Sequence, residues 1–288
     1  MFKCMSPGAI GIRGLSLPEA IDLAKQAGFE GVDFSVREAA ELVKAEGLAY
    51  VQDLFAAAGV RPGHWGLPVA WNQEDQWQND LAELPALARV ARDLGCTRTA
   101  TWCPSGSNTR ERAENWTWHV ERFGAIARVL KDAGCSLGIE FIGPKTFRSQ
   151  FAYPFVYTLG EIMEMAAAIG TGNVGLLLDA WHLYTSGGAI DDLDAITADD
   201  VIVVHVNDAP AGVDRDTQVD QVRCLPMETG VIDLGGFMRK LVAMDYVGPV
   251  TPEPFSQRVN ELAAADPLAA ARLVADAMDA LWQAGGLR

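Results

Sequence analysis

The chain has 288 residues, 49% of them apolar and 21% charged, which supplies ample material for a core and disfavours disorder. Twenty-three Lys and Arg against 38 Asp and Glu leave a formal charge of −15, which disfavours association with nucleic acid or an anionic membrane, because such binding draws on Lys and Arg. No stretch approaches 18 uncharged apolar residues and the opening MFKCMSPGAIGIR has no long apolar run, so neither a membrane span nor a signal peptide is expected, and a cytoplasmic location is.

Short β-branched or apolar runs alternate with longer helical patterns from end to end. The strands expected in chain order are Cys4–Ile12, Gly31–Val36, Val60–Leu67, Thr97–Cys103, Ser136–Ile142, Val174–Asp179, Val201–Val206 and Pro249–Pro252. The segments between them carry helix-start signals. Ser16-Leu-Pro-Glu19 and Thr158-Leu-Gly-Glu161 fit capping boxes, and Asp266-Pro267 places a cap residue before a proline in a first turn. In the last helix Val274, Ala277, Met278, Leu281 and Trp282 form the stripe of a core-packed face. Eight units in 288 residues average 36 each, and strict alternation implies a parallel sheet covered by helices. The expectation is a single-domain (β/α)8 TIM barrel over residues 1–288, with a doubly wound sheet as the alternative; Gly11-Ile-Arg-Gly14 does not read as a dinucleotide cradle. The five cysteines are widely spaced without a CxxC pair and read as buried free thiols in a reducing compartment.

A barrel of this kind gathers side chains from the C-terminal strand ends onto one face. The last four strands end in Gly-Ile-Glu140, Leu-Leu-Leu-Asp179-Ala-Trp-His182, Val-Val-His205-Val-Asn-Asp208 and Val-Thr-Pro-Glu253. Any one of these is an ordinary helix cap or a hydrogen-bonded core residue. Four in succession, one per unit, are a candidate metal site, because clustered carboxylates beside an imidazole in an apolar cavity need a countercharge. Three oxygen donors and one imidazole suit one fairly hard divalent ion, Mn²⁺ or Mg²⁺, with Co²⁺ or Zn²⁺ as alternatives.

The segments IEFIGP, LLLDAWH, VVHVNDAP and TPEPF, with the Asp179-x-x-His182 pattern and the stretch Arg223-Cys-Leu-Pro-Met-Glu-Thr-Gly-Val-Ile-Asp233, resemble the xylose-isomerase-like barrel superfamily of sugar isomerases and epimerases. Its members include tagatose/psicose 3-epimerases, hydroxypyruvate isomerases and inosose dehydratases. The resemblance implies that Glu140, Asp179, His205 and Glu253 bind one divalent metal, and that Glu140 and Glu253 act as the acid/base pair. It also implies that His182 and Arg223 contact substrate and that the chain forms dimers or tetramers.

A small carbohydrate is the expected partner. The cation would stabilise an enediolate of a keto sugar, and return of the proton to the opposite face, or to the neighbouring carbon, gives epimerisation or isomerisation. Dehydration of a keto-cyclitol or keto-glycoside is the alternative, and a non-catalytic sugar-binding barrel is a third reading. DNA-repair endonucleases of the superfamily need further His ligands near Asp214-Arg-Asp216, where this chain has none.

Other residues are read less specifically. His64-Trp65 and Trp102 are candidates for an apolar wall against a sugar face, with core or lid packing as the alternative. Lys145 and Arg148 bring positive charge to the rim, for a substrate anion or for ordinary ion pairs. Glu228 is expected to position Arg223, His119 to pack within its helix, and Asp191-Asp-Leu-Asp194 to be a solvated helix start.

Overall fold

The computed structural model describes residues 1–287. Eight strands form a closed, wholly parallel barrel: β1 (Phe2–Met5), β2 (Gly31–Phe34), β3 (Arg61–Gly66), β4 (Arg98–Cys103), β5 (Ser136–Phe141), β6 (Val174–Asp179), β7 (Val201–Val206) and β8 (Pro249–Pro252). Each strand pairs with its neighbours in chain order and β8 pairs with β1, so the architecture is the (β/α)8 barrel that the alternation implied. A two-residue antiparallel pair, Gly106–Ser107 with Tyr153–Pro154, ties the loop after β4 to the loop after β5.

The first strand differs from expectation. It is confined to Phe2–Met5, and Gly8–Ile10 form a 3-10 turn ended by Gly11 in a left-handed conformation (φ 80°). Pro7 cannot donate to a ladder, which ends the strand there. The apolar character of Ala9 and Ile10 serves burial rather than pairing: both are buried, and a Cβ on Gly11 would stand 2.4 Å from Asn260 Oδ1.

The expected caps are present. Glu19 accepts from the Ser16 amide at 2.8 Å, Glu161 from the Thr158 amide at 3.2 Å, and Asp266 from the Ala269 amide at 3.0 Å. Val274, Met278, Leu281 and Trp282 are buried in the main core. Asp191 and Asp194 lie on a 3-10 segment and meet Lys240. His119 is buried between Trp118 and Phe155, with ring centroids 4.8 Å from each. The five cysteines are free and all but Cys224 are buried. Among the described residues no helix is long and apolar enough to cross a membrane.

Strand alternation positions the site. Leu137, Ile139 and Phe141 of β5, Leu176 and Leu178 of β6, and Val204 and Val206 of β7 belong to the main core. The alternate residues Glu140, Asp179 and His205 therefore turn towards the barrel axis at the C-terminal mouth.

Candidate metal centre

Glu140 is the penultimate residue of β5, Asp179 ends β6, His205 is penultimate in β7, and Glu253 follows β8. Register brings them level: Asp179 pairs with His205, His205 with Thr251, and the Glu253 amide donates to Val206 O at 3.1 Å. One ligand atom from each of the four lies within 4.8 Å of all the others. The imidazole Nδ1 of His205 is 3.5 Å from Glu253 Oε2 and 3.8 Å from Glu140 Oε1. Glu140 Oε1 and both ring nitrogens of His205 are buried without a hydrogen-bond partner. Buried polar atoms are rarely left so, and their convergence suits a bound cation.

The electrostatics agree. Burial raises the Glu140 carboxyl well above its ordinary range, and the charges of Glu253 and Asp179 add to this against His205 and Arg223. Burial also works against the charged forms of Asp179 and Glu253, but Arg223 and His182 for Asp179, and His205 and Arg223 for Glu253, hold both below the usual carboxylate range. Burial opposes a proton on His205, yet Glu253, Glu140 and Asp179 outweigh it and push that imidazole up to about 9. A cluster that pulls in protons this way has too few positive charges of its own.

Arg223 supplies one. It is buried, with Nη1 donating to Asp179 Oδ2 and Glu253 Oε2 and Nη2 donating to Asp220 Oδ1 at 2.8 Å. Its guanidinium also lies 4.9 Å from the Phe255 ring centroid and 5.3 Å from that of Trp181. Phe255 holds its place with a left-handed backbone (φ 39°), which is unusual for a bulky residue. The sequence assigned the helper role to Glu228. Its carboxylate instead accepts from the Leu225 amide and pairs with Arg258, both away from the guanidinium, and Asp220 takes that place.

His182 joins the same group, with Nε2 3.8 Å from Glu140 Oε1 and 3.9 Å from Asp179 Oδ2. The Gly143 amide donates to its Nδ1 at 3.1 Å. Burial lowers the ring's pKa to about 4, so it is neutral. Nε2 lies 3.2 Å from Arg223 Nη2, which can only donate, so the neutral ring accepts from one of its two donor neighbours, the Gly143 amide or Arg223, and not from both. Gly143 has to be glycine for this approach, since a Cβ would stand 2.3 Å from His182 O.

The remaining candidates divide. The His64 ring centroid is 5.8 Å from that of His205, whereas Trp65 is fully buried in the outer core, as the next residue of a strand must be. Trp102 lies opposite Glu140 in register, 41% exposed, with its ring edge-on to Trp71. Lys145 sits on a four-residue helix and pairs with Asp216 at 2.8 Å, while Arg148 covers the Tyr157 ring. No hydrogen bond or ion pair among the described residues joins either to the four donors.

Three residues escaped the sequence reading. Asn207 donates to Asp179 Oδ1 at 3.2 Å. Asp208 is fully buried and accepts from the amides of Ala209, Thr229, Gly230 and Ile232, which pins the loop carrying Arg223. Asp33 is the penultimate residue of β2 and lies beside His64, with Nδ1 of His64 2.8 Å from its Oδ1. Looking at all eight strand ends, rather than the last four, would have found it.

A parallel barrel with three carboxylates and an imidazole gathered at its C-terminal mouth defines a barrel protein with a candidate divalent-metal site. Residues 21–281 match the family described as xylose isomerase-like TIM barrel, and the chain belongs to that family. It is 29% identical over 120 residues to an inosose isomerase of Halalkalibacterium halodurans, an alignment that spans only 41% of either chain. An inosose isomerase of Bacillus velezensis is 20% identical over 276 residues, 94% of each. A xylose isomerase domain protein from Alicyclobacillus acidocaldarius subsp. acidocaldarius superposes with a TM-score of 0.86 at 28% identity, covering 99% of both chains.

Proposed function

We propose that this chain is a divalent-metal-dependent isomerase or epimerase of a polyhydroxy ketone, with Glu140, Asp179, His205 and Glu253 as ligands. The observation that carries the reading is the convergence of these four donors within 4.8 Å, with Glu140 Oε1 and the His205 nitrogens buried and unpartnered. The donor set suits Mn²⁺ or Mg²⁺ first, with Co²⁺ or Zn²⁺ as alternatives. An ion held there lends Lewis acidity to a carbonyl oxygen and eases loss of a proton from the adjacent carbon.

The protein's own groups supply the rest. Glu140 on β5 and Glu253 beyond β8 approach from different parts of the barrel rim, so one removes the proton and the other returns it. Arg223 and His182 offer N–H groups to substrate oxygens. Trp102 offers a flat apolar face for a sugar ring, and His64 lines the side of the mouth nearest His205. Two relatives named inosose isomerase make a keto-cyclitol of the inosose type the first substrate to try.

The test is incubation of the metal-loaded protein in D₂O with inosose, fructose and tagatose. Deuterium is expected at the carbon beside the carbonyl for at least one ketone, and Glu140→Gln and Glu253→Gln are each expected to abolish the exchange. A new ultraviolet-absorbing enone would assign dehydration instead. Absence of both from metal-loaded wild type would sink the enzymatic reading and leave a sugar-binding barrel.

A further inference from the structure

The end of the barrel opposite the four donors carries a cavity of its own. It measures about 200 Å³ and lies at the N-terminal ends of β1, β3, β4 and β8, with Arg61, Arg98, Thr97, Leu94 and Val247 in its wall. Two glycines shape it. A Cβ on Gly31 would stand 2.4 Å from Phe2 Cε2, and one on Gly248 would stand 2.3 Å from the Tyr246 hydroxyl. Each ring admitted in this way carries a guanidinium. Arg61 lies 3.8 Å from the Phe2 centroid, and Arg98 lies 5.7 Å from that of Tyr246.

Charge at this end is unbalanced. Among the described residues none that lines the cavity is acidic, in a chain where 38 acidic residues outnumber 23 basic ones. Glu30 stands 3.9 Å from Arg61, beyond hydrogen-bond range, and its other oxygen accepts from the Lys3 amide at 2.9 Å. Arg98 donates Nη1 to Ile202 O at 2.7 Å. Its remaining N–H groups, and those of Arg61, meet no hydrogen-bond acceptor among the described residues. The two rings hold both guanidinium forks in place without neutralising them.

We propose that this cavity binds a phosphate group between Arg61 and Arg98, at a site separate from the metal centre and independent of the activity proposed above. A guanidinium fork matches two phosphate oxygens at once, and a phosphate group carries a charge of about −1.5 to −2 at pH 7 with three strong acceptors. Thr97 adds a hydroxyl. The formal charge of −15 disfavours any anion at long range, but that field is screened beyond about 8 Å at physiological ionic strength, so the arginine pair decides. Leu94 and the exposed Val247 give the cavity an apolar side, which suits the short carbon chain of a phosphate monoester. The phosphate group is what such an ester shares with the free ion.

Calorimetric titration of the Mg²⁺-loaded protein with inorganic phosphate and with glycerol 3-phosphate tests this, with chloride at equal ionic strength as the control. Saturable binding of either phosphate compound, and none of chloride, is expected. Tighter binding of the ester assigns a monoester as the ligand, and equal or tighter binding of phosphate assigns the free ion. Arg61→Gln, at an exposed side chain, should weaken binding roughly tenfold or more, because charge-assisted hydrogen bonds to the phosphate are lost. Arg98→Lys, which keeps the charge and loses the fork, should weaken it less. Phosphate should raise the unfolding temperature of wild type and not that of Arg61→Gln. Stripping the metal with EDTA, followed by dialysis, should leave phosphate binding unchanged. Absence of saturable binding by both compounds, or equal binding by wild type and Arg61→Gln, overturns the proposal. Binding that survives Arg61→Gln and disappears with the metal would place the anion at the opposite mouth and overturn it as well.

Discussion

Nη1 of Arg223 lies 2.9 Å from Asp179 Oδ2 and 3.0 Å from Glu253 Oε2, one nitrogen bridging carboxylates from β6 and from beyond β8. Removing one member of a buried ion pair leaves the other charge uncompensated, at about 3–5 kcal/mol. Arg223→Met is expected to destabilise the metal-free protein by about that amount. Saturating Mn²⁺ should recover much of the loss by restoring positive charge and by binding only the folded state. Urea unfolding with and without Mn²⁺ measures both quantities. An equal deficit in the two conditions would mean that the guanidinium matters for packing between Trp181 and Phe255, not for charge.

Proton release should accompany metal binding. Carboxylate neighbours push His205 up to about 9, against the effect of burial, so at pH 7 the metal-free imidazole carries a proton. A metal ligand must be the neutral ring. Apparent metal affinity therefore rises with pH towards 9 through His205, and Glu140, also raised, adds to the effect. Calorimetry at pH 7 in two buffers of different ionisation heat should show release of about one proton or more per ion. No net release would contradict the assignment of His205 as a ligand.

His119 supplies a separate test by pH. Burial, opposed by a hydrogen bond to Asn115 O and aided by Arg110 and Arg122, lowers its pKa to about 4. The unfolded chain protonates this residue near 6.5, so it takes up more protons than the folded chain between the two values. Its contribution is complete above pH 6.5 and is lost as pH falls towards 4, amounting to about 3 kcal/mol. His119→Gln should reduce the stability difference between pH 7.5 and pH 4.5 by about that much relative to wild type, since the other titrating groups are common to both. Parallel pH profiles would show that the ring is protonated in the folded state.

The barrel was legible because its strands are short apolar runs at regular intervals, and seven of the eight fall where the runs fall. The exception, Cys4–Ile12, shows the limit: Ala9 and Ile10 are buried as a strand residue would be, but burial under helices leaves the same apolar trace as sheet pairing. The four donors were legible for a related reason, since a polar residue closing a run of buried ones stands out. Asp33 and Asp208 carry the same mark and were passed over, because one acceptor of backbone amides looks in sequence like any other carboxylate. Glu228 was expected to position Arg223, and the loop turns it towards Arg258 instead.

Asp208 separates loop order from metal binding. Its Oδ2 accepts from Thr229 and Gly230 at 3.0 and 2.7 Å, and its Oδ1 from Ile232 at 3.1 Å, fastening the far end of the segment that bears Arg223. An amide in its place turns an NH₂ towards backbone donors, and each buried group left unpaired costs about 1–3 kcal/mol. Asp208→Asn is therefore expected to lower stability by about 2–3 kcal/mol. It should also expose the segment around Val219 and Val222, already more than half exposed, to faster proteolysis. Metal content should stay at the wild-type level, because the four donors are held by β5 to β8 and not by this loop. Substrate turnover should fall through loss of Arg223 placement. If metal is lost while cleavage of the segment is unchanged, Asp208 belongs to the support of the ion and the loop is held by other means.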